Sequence, residues 1–321
     1  MDALADLLEG VRARSAAFCR TVLVPPWALR IADGATLSLA SPLHGHTWFI
    51  DTGPQAGTPI RLGPGDVCVV TGSRPFIVAD DPSTQPEVVV GPGNVLTTTD
   101  GAPADLPDVD AATPGATVLA SGTYRVSGDV GRRLLDALPR VLVVPGSDMP
   151  TTVTELLAAE LAEEQPGQQL ALDRLLDLAL ISTVRAWFAR PEARAPGWYR
   201  ALGDPVVGRA LRLMHSAPAH GWTVAGLAEH AGASRAAFAR RFRDLVGEPP
   251  LTYLTSWRLT LAADLLDRTD RTVDAIAREV GYANGFALTS AFTRERGVSP
   301  RTHRASRPAR LERADVTAVG S

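Results

Sequence analysis

The spacing of apolar positions changes twice along this chain. From residue 18 to about 145 it comes in short apolar runs, among them TVLVPPWALRI, HTWFIDTG, GDVCVVTG, EVVVGPG, ATVLASGTYRV and RVLVVPG, separated by turn residues. Such runs predict antiparallel strands that close as a small barrel or sandwich. The acidic, proline-rich stretch 98–115 has no periodicity and predicts a loop. From 151 to 216 the period becomes helical. TTVTELLAAELAEEQ opens on threonines suited to capping, and QQLALDRLLDLALISTVRAWFAR sets Leu172, Leu175, Leu176, Ala179 and Thr183 or Val184 along one stripe. The N-terminal MDALADLLEGVRARSAAF reads as an ordinary amphipathic helix and not as a leader.

The last third holds an internal repeat. TVAGLAEHAG (223–232) and TVDAIAREVG (272–281) superpose at an offset of 49, matching Thr223 with Thr272, Leu227 with Ile276, Ala228 with Ala277 and Gly232 with Gly281. After one inserted residue the offset is 50, and Phe242 meets Phe292, Gly247 meets Gly297 and Pro250 meets Pro300. Each unit of about 28 residues is too small to fold alone. The intervening LTYLTSWRLTLAADLLDR predicts an amphipathic helix that fuses the two units. Within the first unit Thr223 caps a short helix, Gly232 permits a tight turn, and Ser234 caps a second helix whose Phe238 and Phe242 point inward. Arg235, Ala236, Ala239, Arg240 and Arg243 are left outside, which is the helix-turn-helix plan. Small side chains there let the helix enter a major groove, where an arginine reaches guanine bidentately.

Charge changes the picture through its distribution. Residues 209–307 carry 15 arginines against 9 carboxylates, a net of +6, leaving −9 on the remainder of a chain that totals −3. A basic end on an acidic body suits contact with a polyanion. All 32 basic residues are arginine, a bias that coding composition explains without function. No run of 18 apolar residues occurs, so no membrane span is expected, and two cysteines fit a reducing, cytoplasmic setting.

With its two capped helix pairs, turn glycines and Gly-x-Pro ends, the stretch 209–304 resembles the AraC-type (AraC/XylS) transcription regulators. The resemblance implies double-stranded DNA as partner, with the two units in successive major grooves roughly 34 Å apart. By position it implies Ser234, Arg235, Ala236, Ala239, Arg240, Arg241 and Arg243 as the first contact set, with Arg240 on a base and Arg241 and Arg243 on phosphate. The second set is Asn284, Gly285, Phe286, Ala287, Thr289, Ser290 and Arg294. Here the chain departs from the family pattern: Ser290 stands where arginine is frequent, and Gly285 and Phe286 where polar residues are. The second unit is therefore expected to supply phosphate contacts from Asn284, Thr289 and Arg294, and an apolar contact from Phe286 on a thymine methyl.

The β-rich part is similar to the cupin-like sensing domain of one subgroup of that family, through PPWALRI, GHTWFIDTG, IRLGPGDVCVVTGSRPFIVADD and LLDALPRVLVVP. Gly63-Pro64-Gly65-Asp66 is expected to be a turn feeding the next strand. Cupins often bind metal through His-x-His, a carboxylate and a distant His. Strand alternation would put His44 and His46 on one face near Asp51, yet Phe76 stands where the later His would fall, so the expectation is no metal and no cofactor. Cys68 is expected to pack as a small hydrophobe, while Cys19 beside Arg20 offers an alternative thiol redox switch.

The expected fold class is therefore α+β. A cupin-like β-barrel or jelly roll occupies 1–150, a helical linker and dimerisation segment 151–204, an all-α double helix-turn-helix 205–307, and a disordered tail 308–321. The expected function is a sequence-specific transcription regulator, an activator and not an enzyme, that answers a small-molecule or chemical signal. The alternatives are the Cys19 switch and a metal-binding cupin using His44, His46 and Asp51. A homodimer and contact with RNA polymerase are expected.

Overall fold

The computed structural model describes residues 3–9, 11, 19–54, 56–124, 126, 128–161 and 165–306. The expected tail at 308–321 lies outside them. Two compact units result: Leu7–Ser127 with Gly131–Pro196, and Gly197–Ser321 with Met1–Asp6 and Gly128–Val130. The helices in order are α1 (Ala3–Glu9), α2 (Gly128–Leu135), α3 (Thr151–Glu160), α4 (Gln168–Phe188), α5 (Gly197–Ala201), α6 (Val207–Ser216), α7 (Val224–His230), α8 (Arg235–Val246), α9 (Pro250–Arg268), α10 (Val273–Glu279), α11 (Gly285–Arg296) and α12 (Pro300–Ala305). None of these is long and apolar enough to cross a membrane.

The β-rich unit is two sheets face to face. Its strands are β1 (Cys19–Leu23), β2 (Ala28–Ile31), β3 (Leu37–His44), β4 (Thr47–Asp51), β5 (Ile60–Leu62), β6 (Val67–Thr71), β7 (Phe76–Ala79), β8 (Val88–Val90), β9 (Leu96–Thr98), β10 (Thr117–Tyr124) and β11 (Val141–Val144). One sheet runs β1-β10-β3-β6-β11 and the other β5-β4-β7-β2-β8-β9. Pairing is antiparallel except between β2 and β8. The inner faces bury Leu29, Phe49, Leu62, Cys68, Val70, Phe76, Val78 and Leu119. The expected turn at 63–66 is present: Asp66 accepts from the amides of Gly63 (2.8 Å) and Gly146 (2.9 Å), and β6 follows. The expected loop follows β9, and Leu106 packs back on the core.

The first sheet is covered on its outer face as well. Both faces of β6 are buried, which is why VCVVT reads as a continuous apolar run without alternation. The cover includes α4, whose Leu172, Leu176, Ala179, Leu180, Thr183 and Val184 are buried. The Tyr124 hydroxyl on β10 donates to the Leu176 carbonyl at 2.8 Å. The leucine stripe thus packs within its own unit, and α3 and α4 group with the barrel while α5 groups with the C-terminal unit. The expected threonine cap of α3 is also absent, since Pro150 stands at its N-cap.

The C-terminal unit is all helical, and α9 is its spine. Tyr253, Leu254 and Trp257 are buried in its first half, with Tyr253 6.0 Å from Phe242 between ring centroids. Leu259, Ala262, Ala263 and Leu266 in its second half pack with Ile276, Ala277, Leu288 and Phe292. His215 of α6 is buried with Nε2 2.8 Å from the Tyr253 hydroxyl, so the first half also carries a satisfied polar pair.

Leu176→Ala is expected to destabilise the β-rich unit by about 2–5 kcal/mol, and the exposed Leu170→Ala by under about 0.5 kcal/mol. Urea denaturation at two protein concentrations measures both. A Leu176→Ala loss that depends on concentration would return the stripe to a subunit seam.

Candidate DNA-binding interface

The two helix pairs are built alike, from residues whose chemistry fixes each end. Thr223 accepts from the Gly226 amide (3.0 Å) and Thr272 from the Ala275 amide (3.2 Å), starting α7 and α10. Gly232 and Gly281 turn the chain with φ of +70° and +88°, where a side chain is strained. The amides just past these glycines close the turns in the same way, Ala233 to the Ala228 carbonyl (2.9 Å) and Tyr282 to the Ala277 carbonyl (2.8 Å). Ser234 and Asn284 then cap α8 and α11, accepting from Ala237 (3.3 Å) and Ala287 (2.9 Å). Gly247 and Gly297 end both helices in the left-handed region.

On α8, Phe238 and Phe242 are fully buried, their ring centroids 5.8 Å apart. The turned-out face exposes Arg235, Ala236, Arg240 and Arg243, with Ala239 half-buried. No carboxylate pairs with Arg235, Arg240 or Arg243 among the described residues. Arg241 differs. It was expected on phosphate, but its Nε and Nη2 lie 2.8 and 2.6 Å from Asp204 Oδ2. Asp204 also caps α6 through the amides of Val206 (3.0 Å) and Val207 (2.9 Å). The Arg241 hydrogen bond, then the amides, hold the Asp204 carboxyl below the usual carboxylate range. Arg241 thus ties α8 to its own unit.

On α11 the outward positions are Phe286, Ser290 and Arg294, with Ala287 and Thr289 half-buried. Phe286 is a large apolar ring that is 82% exposed. Gly285 is not an outward position as expected. It is buried, its amide donates to Asp274 Oδ1 at 2.7 Å, and a Cβ there would lie 2.8 Å from that oxygen. Asn284 is exposed, yet its side-chain oxygen is engaged by the cap. Sequence position alone could not show these contacts, because Asp274 of α10 acts on α11 and Asp204, in the connection between α5 and α6, acts on α8.

The His44, His46 and Asp51 cluster does not assemble among the described residues. Gly45 separates His44, at the end of β3, from His46, just before β4, so the chain changes sheets between them and strand alternation does not apply. Asp51 Oδ2 is paired with Arg74 Nη2 at 2.8 Å. No group of three or more His, Cys, Asp or Glu among the described residues is arranged to hold a metal ion. Cys68 is buried in the barrel, and burial pushes its thiol up to about 12, so it carries almost no thiolate near neutrality. Cys19 opens β1 opposite Ser121, and its side chain lies outside the described residues.

The Asp204 contribution has a definite pH dependence. Its folded pKa is lowered, so its stabilisation is complete above the unfolded value of about 4 and fades as pH falls through the folded value. The stability gap between the wild type and Asp204→Ala is therefore expected to stay constant from about pH 5 to 8 and to narrow below about pH 4. Urea midpoints across that range test it, and a gap that widens in acid contradicts it.

The comparisons agree with this layout. A cupin family matches residues 2–189, and a helix-turn-helix domain family matches residues 227–306. An AraC-like transcription regulator of Streptomyces lividans is 33% identical over 309 residues, spanning 95% of this chain and 98% of the relative. The HTH-type transcriptional regulator AlkR of Acinetobacter baylyi is 27% identical over 311 residues, 95% of this chain and 99% of that protein. Among solved structures, the DNA-binding domain of AdpA in complex with a target DNA is 35% identical, covering 32% of this chain and 92% of that one, with a TM-score of 0.31. A cupin domain followed by a double helix-turn-helix, with full-length relatives of the same kind, places this chain in the family of AraC-like transcription regulators.

Proposed function

We propose that this regulator acts as a homodimeric, effector-responsive activator in which the first helix-turn-helix reads bases and the second anchors and shapes the complex. The observation that carries this reading is the outer face of α8. Three exposed arginines stand there without carboxylate partners among the described residues, around Ala236 and Ala239, on a helix pinned from behind by two buried phenylalanines. Small side chains allow close entry to a major groove, and Arg240 is the residue for guanine O6 and N7. Arg243, nearer the helix end, contacts phosphate, and Ser234 at the cap adds the α8 N-terminal amides to the backbone contact.

The second unit works by different chemistry. Its reading face offers a hydroxyl at Ser290, an exposed ring at Phe286 and charge at Arg294. A phenyl group gains by covering a thymine methyl and offers no bidentate readout, so this half-site contributes less discrimination. Arg294 and Thr289 supply phosphate contact.

Regulation requires the signal to bind two states of the protein unequally. The barrel is the sensing part in this reading, and β10 is its output strand. Leu119, Ser121 and Thr123 of β10 line a cavity between the sheets, while Tyr124 at its end holds the α4 backbone. A ligand that shifts β10 therefore acts directly on α4. The output is contact with RNA polymerase at the promoter.

Arg240→Ala is expected to weaken binding to the selected operator by about 5–150-fold, relaxing preference at one base pair. Arg243→Ala is expected to weaken operator and random duplex alike and to reduce the slope of log K against log salt by about 1. Salt-titrated fluorescence anisotropy on both duplexes separates the two. Equal loss on both duplexes for Arg240→Ala would remove it from base reading.

Phe286→Ala is expected to cost selectivity at a single A·T pair of the second half-site without changing the salt slope. In vitro selection with each variant is the check. Loss of base preference confined to the second half-site on Ser290→Ala would reverse the assigned division of labour.

A further inference from the structure

The cavity between the two sheets has a volume of about 130 Å³. Its walls include Phe49, Leu62, Val70, Phe76 and Leu119, from both sheets. A cavity of about 150 Å³ with comparable apolar walls takes up benzene, so this one is of the size that holds one small ring of roughly six non-hydrogen atoms. The walls also carry a local polar feature. Ser38 on β3 is directly opposite Thr123 on β10, and Ser121 lies two residues along the same strand face, opposite Ala40. All three line the cavity. Ser38 is 7% exposed and Ser121 and Thr123 are half-buried, and none of the three side chains takes part in a hydrogen bond among the described residues. Hydroxyls shielded from bulk water inside an apolar cavity are ordinarily satisfied, so this group is matched to a hydrogen-bonding ligand. Asp33, half-buried, is the charged residue of the lining, and no arginine, lysine or histidine joins it. An anionic ligand would enter without a counter-charge and beside a carboxylate, which is strongly unfavourable in an apolar site.

From these features we infer that the barrel binds an uncharged, mostly apolar molecule of about single-ring size, with one hydroxyl or carbonyl group directed at Ser38, Ser121 and Thr123. This rests on the reading of the barrel as the sensing domain and specifies what it senses. Cys68 lines the same cavity as a buried neutral thiol and serves there as apolar wall.

The test uses full-length protein and three probes with one scaffold: toluene, benzyl alcohol and benzoate. Isothermal titration at neutral pH is expected to show saturable binding of benzyl alcohol, weaker binding of toluene, and benzoate at least about 100-fold weaker than benzyl alcohol. Ser121→Ala is expected to reduce the preference for benzyl alcohol over toluene by about 5-fold. Val70→Trp, which fills the cavity, is expected to abolish binding of all three. Circular dichroism and operator binding report whether each variant is folded, and Ser121→Ala remains decisive if Val70→Trp is not.

Benzoate binding as tightly as benzyl alcohol would overturn the inference. So would absence of binding by all three to folded protein, or binding unchanged by Val70→Trp. The sensing reading is tested separately by the response of operator affinity to a small-molecule fraction of cell extract. If that response is present in the wild type and lost in folded Val70→Trp while no probe binds, the ligand class is wrong and the sensing barrel stands. If folded Val70→Trp responds like the wild type, the sensing barrel itself fails.

Discussion

Everything in the C-terminal unit depends on the burial of α9 by two small helix pairs at once. A helix pair of about 28 residues has too little apolar surface to offset the conformational entropy of folding. The 19-residue α9, about 28 Å long, supplies the missing surface twice. Tyr253, Leu254 and Trp257 complete the core around Phe238 and Phe242, and Leu259 to Leu266 complete the core around Leu288 and Phe292. Fully burying side chains of this size stabilises by roughly 1.5–3 kcal/mol each. The same packing that makes each pair stable also fixes the separation of α8 and α11, so folding and the spacing of the two DNA-facing helices have one cause.

On that common frame the two outer faces are chemically unlike. α8 presents guanidinium groups among alanines, and α11 presents a phenyl ring, hydroxyls and one arginine toward its end. Arginine supports both phosphate neutralisation and bidentate base contact, whereas a phenyl ring supports only apolar and shape-dependent contact. Neighbouring charges refine the division. Asp204 braces α8 through Arg241, and Asp274 holds the α11 N-terminus through the Gly285 amide.

Much of the C-terminal unit was legible in the sequence because its determinants are local. Caps, turn glycines and i, i+4 phenylalanines act within a few residues, and the repeat displayed them twice. The strands and the Gly63–Asp66 turn were readable for the same reason. The destination of the α4 stripe was not, since a leucine stripe looks the same whether its own sheet or another subunit covers it. Gly285 and Arg241 entered the contact sets through the family resemblance, and the contacts they make to Asp274 and Asp204, eleven and thirty-seven residues away, carry no local signal. His44 and His46 were set on one face by strand alternation, which the change of sheets at Gly45 cancels. The cavity is invisible for a stronger reason: Ser38, Val70, Phe76 and Ser121 meet only after two sheets pack.

The central claim is that one rigid helical body offers α8 and α11 to consecutive major grooves on one face of a duplex. Hydroxyl-radical footprinting of the purified protein on a selected operator tests this most directly. For each bound subunit the expected result is two protected backbone patches on the same face, about one helical turn or 10–10.5 base pairs apart. Two patches on opposite faces, or a single patch that stays unchanged when α11 is altered at Phe286, would contradict it.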